Sequence, residues 1–192
     1  MDLRELKEFI KDSFKYILLV LIVLLTFLYV LAFQQILGPS MQPNLKADDV
    51  VILNKIKYRF SNIKRFDIVA LDYKDSKYLV KRVIGLPGDR IEYRNNILYV
   101  NDQAVEENFL GDNITTDDFS LKDIGYDVIP DGMYLVLGDN RSNSMDGRDF
   151  GLIKKSQIKG KVSIRIWPIG KLKFFNWINS LKSVHNYVSI YI

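Results

Sequence analysis

Ser40 stands in the stretch ILGPSMQPNL, residues 36–45, with Pro39 and Met41 beside it and Pro43 beyond. A serine hydroxyl is a weak nucleophile until a neighbouring base takes its proton. Histidine, the commonest such base, occurs once, at His185, in a C-terminal segment whose pattern fits a helix as well as a strand. A lone histidine there reads as incidental, and its solitude also argues against a histidine-rich metal site. If Ser40 is a nucleophile, its base is a lysine or a carboxylate. If it is not, the stretch is a proline-bracketed turn.

A lysine acts as a base only when neutral. Its ordinary pKa, about 10.4, falls by several units when burial withholds water. Such a lysine belongs inside an apolar strand, and YLVKRVIGLPGD, residues 78–89, offers one: Lys81 follows Leu79 and Val80, with Val83 and Ile84 after Arg82. Alternation along a strand turns Lys81 and Arg82 to opposite faces, so one points inward while the other stays in solvent. The plainer alternative is an exposed edge strand carrying both bases. A third stretch, YLVLGDNRSNSMDGRDFG, residues 134–151, runs from an apolar strand into a dense polar loop. A calcium loop fits poorly, because Arg141 stands where a third ligand would fall and no well-placed glutamate follows. The loop is either a turn held by Asx hydrogen bonds or a support that orients a lysine, with Asp146 pairing with Arg148.

These residues must be held by the surrounding elements. Residues 17–33, ILLVLIVLLTFLYVLAF, contain one polar side chain, Thr26. Extended to Ile36, the run makes a helix of about 30 Å, the thickness of a bilayer's hydrocarbon core. It is longer than the apolar part of a signal peptide, and no small-residue cleavage site follows. A retained transmembrane helix over 17–36 is therefore expected, after a segment 1–16. Cations flank it on both sides, Arg4, Lys7, Lys11 and Lys15 before it and Lys46, Lys55, Lys57 and Arg59 after it. Charge alone leaves its orientation open.

Beyond Pro43 the pattern shortens to β-like runs at 49–53, 67–71, 78–84, 89–93, 97–100, 133–137 and 161–167. They are rich in β-branched and aromatic residues and separated by turn signals. Asn95-Asn96 and Asn101-Asp102 suit two-residue hairpins, and Gly85-Leu86-Pro87-Gly88-Asp89 suits a sharp reversal. The fold class that follows is mostly β: one N-terminal helix, then an antiparallel domain over 37–192. Between Val105 and Asp131 eight acids face one base, Lys122; this stretch reads as an inserted loop or flap. From Gly151 onward there are eight bases and no acid. Trp167, Phe174, Phe175 and Trp177 lie among them, a mixture that suits a lipid interface or a solvated face over an aromatic core. The 192 residues contain no cysteine. That excludes disulfides, thiolate nucleophiles and cysteine-ligated metals.

In this order and behind this anchor, the three stretches resemble the bacterial type I signal peptidases. GPSMQPNL resembles that family's nucleophile box, ADDVVILNK the strand after it, RFDIVAL and YLVKRVIGLPGD its lysine box, and GDNRSNSMDGRDFG its last box. The resemblance implies a catalytic domain of the β type shared with the LexA-like repressors. It implies Ser40 as nucleophile, Lys81 as general base, Ser144 as the hydroxyl that orients the lysine, and Asp146 with Arg148 as a supporting ion pair. It places Ile36, Leu37, Met41, Leu45, Leu79 and Val80 around a small substrate pocket. It implies cleavage of signal peptides after small residues, of Ala-x-Ala type, in secretory preproteins. The catalytic domain would lie on the extracytoplasmic face of the cell membrane. The expected partners are preproteins and membrane lipid, not nucleic acid, and no cofactor or metal is called for. Three positions depart from the pattern. Gly38 replaces a serine whose hydroxyl helps hold the oxyanion in some relatives, Asn44 replaces a common threonine, and Gly147 a common serine. A LexA-like self-cleaving repressor would need a DNA-binding module where this chain has its apolar helix. The remaining alternative is a weakly active or inactive membrane-tethered β module that acts by binding.

Overall fold

The computed structural model describes residues 2–73, 77–111 and 113–175. His185, Trp177 and the C-terminal segment whose pattern is ambiguous lie outside them. In chain order the elements are helix α1 (Leu3–Tyr29), strands β1 (Leu31–Gln35) and β2 (Val50–Asn54), the short helix α2 (Lys57–Phe60), β3 (Ile68–Tyr73), β4 (Lys77–Gly85), β5 (Ile91–Arg94), β6 (Ile97–Val100), β7 (Gln103–Val105), β8 (Phe119–Ser120), β9 (Met133–Leu137), α3 (Gly147–Phe150), β10 (Ile153–Lys154), β11 (Ile158–Trp167) and β12 (Lys173–Phe174).

The apolar run does not continue as a helix to Ile36. It stops at Tyr29, and Leu31–Gln35 becomes a strand antiparallel to β2, from Leu31 opposite Asn54 to Gln35 opposite Val50. The sheet supplies these residues with cross-strand backbone partners, which outweighs the helical preference that the apolar run suggests. The helix instead extends toward the N-terminus, through the charged residues 3–16, to 27 residues. Its length is about 40 Å. None of its most apolar 18-residue window is buried inside the structure, and by length and composition the helix is long and apolar enough to cross a membrane.

The strands form two antiparallel sheets. The larger runs β1-β2-β11-β3-β4-β9-β10, with β12 beside β11; the smaller runs β7-β6-β5-β8. Asn95 and Asn96, and then Asn101 and Asp102, take positive φ at the two tight hairpins of the smaller sheet, as their side chains allow. One core cluster, with Ile36, Met41, Leu45, Val51, Ile68 and Val80, packs a face of the larger sheet. A second, with Ile63, Val69, Val83, Tyr134 and Val136, packs the other. A third joins the two sheets through Ile84, Tyr93, Leu98, Leu121 and Leu135.

Two expectations change here. Both Lys81 and Arg82 are buried, because a strand with core on both faces leaves neither residue a solvent side. The acidic stretch 105–131 is not a free flap. It contributes β8 to the smaller sheet, and Thr116, Phe119, Leu121 and Ile129 are buried.

Candidate active site

Ser40 lies in the loop from β1 to β2. That loop is a widened extension of their ladder: Ile36 N donates to Asp49 O at 2.9 Å, and Asp48 N donates to Ile36 O at 2.8 Å. Met41 and Leu45 anchor it in the core, with 1% and 0% of their surface exposed. Ser40, just before Met41, stays half-buried at the rim. Its carbonyl accepts from Asn140 N at 3.0 Å, and the Pro39 carbonyl accepts from Asn140 Nδ2 at 3.3 Å. The nucleophile loop is thereby fastened to the polar loop after β9.

Gly138 lets these two loops meet. A methyl group there would overlap Ser144 Oγ and meet the Ser40 carbonyl at 2.5 Å, so the two serines converge over a position where only glycine fits. Ser144 Oγ in turn accepts from Lys81 Nζ at 3.0 Å. The structure brings Ser40, Lys81 and Ser144 to one place. The Ser40 hydroxyl makes no hydrogen bond among the described residues; serine–base contacts are often loose before substrate binds.

Lys81 is 2% exposed. Burial lowers its pKa to about 8, opposed by the nearby Asp146 carboxylate, which raises it, and aided by the Arg148 guanidinium, which lowers it. Near neutrality a usable fraction of the amine is therefore free of its proton.

Asp146 and Arg148 pair as the sequence suggested, with Nε to Oδ1 at 3.0 Å and Nη2 to Oδ2 at 3.0 Å. Asp146 also caps α3 through Arg148 N at 3.2 Å and accepts from Gly138 N at 2.9 Å. Arg148 Nη2 reaches the Arg141 carbonyl at 2.7 Å. The pair thus fixes both ends of the loop that carries Ser144. A serine at Gly147 would press against Val136 O at 2.8 Å and Leu135 Cδ1 at 2.7 Å, which accounts for glycine there.

A groove of about 470 Å3 runs beside Ser40. Five of the six expected pocket residues, Ile36, Leu37, Met41, Leu79 and Val80, line it, with Gln34, Gln35, Gly38 and Tyr78 in addition. The sixth, Leu45, is fully buried behind Met41 in the core and not in the lining. Of the aromatic residues near the C-terminus, Trp167 and Phe174 are about half exposed, at 52% and 49%, while Phe175 packs on the core.

The sequence reading missed a second buried network. Arg82 meets Asp139 with Nε–Oδ1 at 2.7 Å and Nη2–Oδ2 at 2.6 Å, and stacks over Phe109 at 3.8 Å. Asn44 Nδ2 donates to Asp139 at 2.9 Å and to the Phe109 carbonyl at 2.7 Å. Arg141, 3% exposed, holds Glu107, Tyr93 and Thr116. The signal was present: an arginine inside an apolar strand needs a buried carboxylate, and the loop after β9 supplies one at Asp139.

Comparison with known proteins shows which family the chain resembles. The family described as "Signal peptidase, peptidase S26" matches residues 6–167. Signal peptidase I of Bacillus caldolyticus is 45% identical over 145 residues, covering 71% of this chain and 80% of that protein. Signal peptidase IB of Staphylococcus aureus (strain MRSA252) is 42% identical over 149 residues, covering 71% and 78%. A crystal structure of a signal peptidase I from Enterococcus faecalis, 36% identical, superposes with a TM-score of 0.49 over 54% of this chain and 98% of the other.

Proposed function

The chain belongs to the peptidase S26 family of signal peptidases, and from that membership we propose that Ser40 and Lys81 are the dyad with which it removes signal peptides. The family makes it a serine endopeptidase. The observation that carries the dyad is Lys81: a buried lysine with a lowered pKa whose one hydroxyl partner, Ser144, meets the Ser40 carbonyl over Gly138. No charge relay through the lone histidine is needed.

In the reaction, Ser40 Oγ attacks the scissile carbonyl while neutral Lys81 Nζ takes the hydroxyl proton. The tetrahedral intermediate collapses to an ester on Ser40, and the proton passes to the departing amine of the mature protein. Lys81, neutral again, deprotonates a water that hydrolyses the ester. The Ser40 backbone N–H is the donor assigned to the developing oxyanion, since Gly38 brings no hydroxyl. Ser144 holds the Lys81 side chain, and the Asp146–Arg148 pair holds the loop of Ser144.

The groove's branched lining supports a preference for small side chains at the cleavage site, of Ala-x-Ala type. Changing the alanine before the scissile bond of a preprotein to leucine is expected to lower kcat/KM by a hundredfold or thereabouts, roughly 3 kcal/mol; equal cleavage would remove the specificity reading. For the dyad, Ser40→Ala and Lys81→Ala are each expected to abolish preprotein cleavage in a folded protein, and near wild-type turnover in either sinks it.

The catalytic domain is assigned to the extracytoplasmic face from the family alone; β1, leading from the end of α1 toward the groove, supports only a site close to the bilayer. The absence of cysteine makes the test simple. A single Lys122→Cys, on a side chain 79% exposed, is expected to react with a membrane-impermeant maleimide in intact cells. Labelling only after lysis reverses the topology.

A further inference from the structure

At the end of α1, away from the groove of Ser40, lies a depression of about 400 Å3. Four bases line it, Lys55, Arg59, Lys155 and Lys159, and no acid does. They come from three separate parts of the chain: the segment after β2, the helix α2, and the turn before β11 with β11 itself. Lys55 Nζ donates to the Leu28 carbonyl at 2.7 Å, capping the negative end of the helix. Lys159 pairs with Asp72 at 2.9 Å. Arg59 and Lys155 have no acidic partner among the described residues. Asp67, the carboxylate bonded to Tyr58 of the lining, is also committed to Lys161.

Cations gathered around one hollow repel each other, and a bound anion relieves that repulsion. The position of the hollow says which anion. Tyr29, the last residue of α1, forms part of its wall. None of the apolar window of the helix that ends there is buried against the rest of the chain. A helix that crosses a bilayer ends at the headgroups, where tyrosine is favoured. Arg59 brings the planar donor set suited to phosphate, while Ile63 and Ile158 add apolar lining.

We propose that this depression binds the phosphate headgroup of an anionic phospholipid in the bilayer that α1 crosses. The bound lipid fixes the height of the domain over the membrane. The proposal rests on the helix spanning the membrane and not on the Ser40–Lys81 reading, so either can fail without the other.

The test uses the full-length protein in detergent with native mass spectrometry, titrating phosphatidylglycerol or phosphatidylcholine. Wild type is expected to retain phosphatidylglycerol and not phosphatidylcholine. The double variant Arg59→Gln/Lys155→Gln is expected to lose about thirtyfold in retention, the effect of two juxtamembrane cations, while Arg59→Lys/Lys155→Arg keeps most of it. Cleavage of a soluble peptide by both variants confirms folding. Equal retention of the two lipids overturns the proposal, as does equal retention of phosphatidylglycerol by wild type and the glutamine variant. So does an equal loss in a control, Lys46→Gln/Lys122→Gln, neither of which lines the depression, which would mean diffuse charge. Displacement of the lipid by millimolar glycerol phosphate would identify a soluble phosphate as the ligand and overturn the lipid source.

Discussion

At the scale of residues, Lys81 joins function to stability. Its ordinary pKa of 10.5 falls to about 8 on folding. The proposed base is the neutral amine, so kcat/KM is expected to rise with pH through about 8, with the slope of one proton, and then level off. A pH–rate profile flat between 6 and 9 would remove Lys81 as the base. The same shift has a stability consequence of definite sign. Below pH 8 the amine is charged in both states and the folded state bears the cost of burying it, about 3 kcal/mol. Between 8 and 10.5 the unfolded chain holds more protons, so stability rises with pH; above 10.5 the cost is gone. Lys81→Met is therefore expected to be inactive yet more stable than wild type at pH 7, with an advantage that shrinks above pH 8. Thermal unfolding at several pH values reads both. Gly38 offers a test in the other direction. A side chain built there meets nothing within 4 Å, so Gly38→Ser fits. If its hydroxyl reaches the oxyanion it is expected to raise kcat, by an effect bounded by the roughly 3 kcal/mol that such donors provide; an unchanged kcat would mean the Ser40 N–H suffices.

At the scale of elements, the strands were legible and their surroundings were not. β-branched and aromatic runs and the Asn-Asn and Asn-Asp turns mark β2 to β6, β9 and β11 to within a few residues, because local pattern and turn chemistry determine them. Three features depend on partners far away in sequence. Leu31–Gln35 is apolar enough for a helix and becomes a strand only because β2 is there to pair with it. Arg82 reads as a solvent residue until Asp139 and Phe109 are seen to close over it. The acidic stretch reads as a flap until Glu107 is seen locked to Arg141. Ser40, Lys81 and the Asp146–Arg148 pair were candidates from residue type and pattern, the resemblance added Ser144 and the roles, and their convergence around Gly138 was not readable from spacing. The Asn44–Asp139–Arg82 network ties the nucleophile loop, β4 and the loop after β9 together. Asp139→Ala leaves a buried guanidinium unpaired, so a loss of about 3–5 kcal/mol in denaturant unfolding is expected. Asn44→Ala, which removes a neutral side chain and leaves the Arg82–Asp139 ion pair in place, is expected to cost nearer about 2 kcal/mol. Comparable losses from the two would mean that Arg82 finds another partner.

At the scale of the whole molecule, an unpacked helix and a closely paired β domain make different demands on the same chain. α1 packs on almost nothing beyond β1 at its end, while β1 forms a five-residue ladder with β2 and lies at the margin of the larger sheet. The boundary that matters for folding therefore falls between Tyr29 and Leu31, not at the end of the apolar run. A chain beginning at Leu31 keeps every strand, and with them the groove residues Gln34 to Leu37. It is expected to fold, to lose membrane association, and to cleave a soluble peptide at close to the full-length rate. A chain beginning at Leu37 loses β1, leaves β2 as an unpaired edge, and removes Ile36 from the core around Met41 and Leu45. It is expected to melt at a clearly lower temperature and to lose peptide cleavage, because the strand that carries one wall of the groove has gone with it. Tm and peptide turnover for the two truncations separate the outcomes: if both behave alike, β1 belongs to the anchor and not to the catalytic domain.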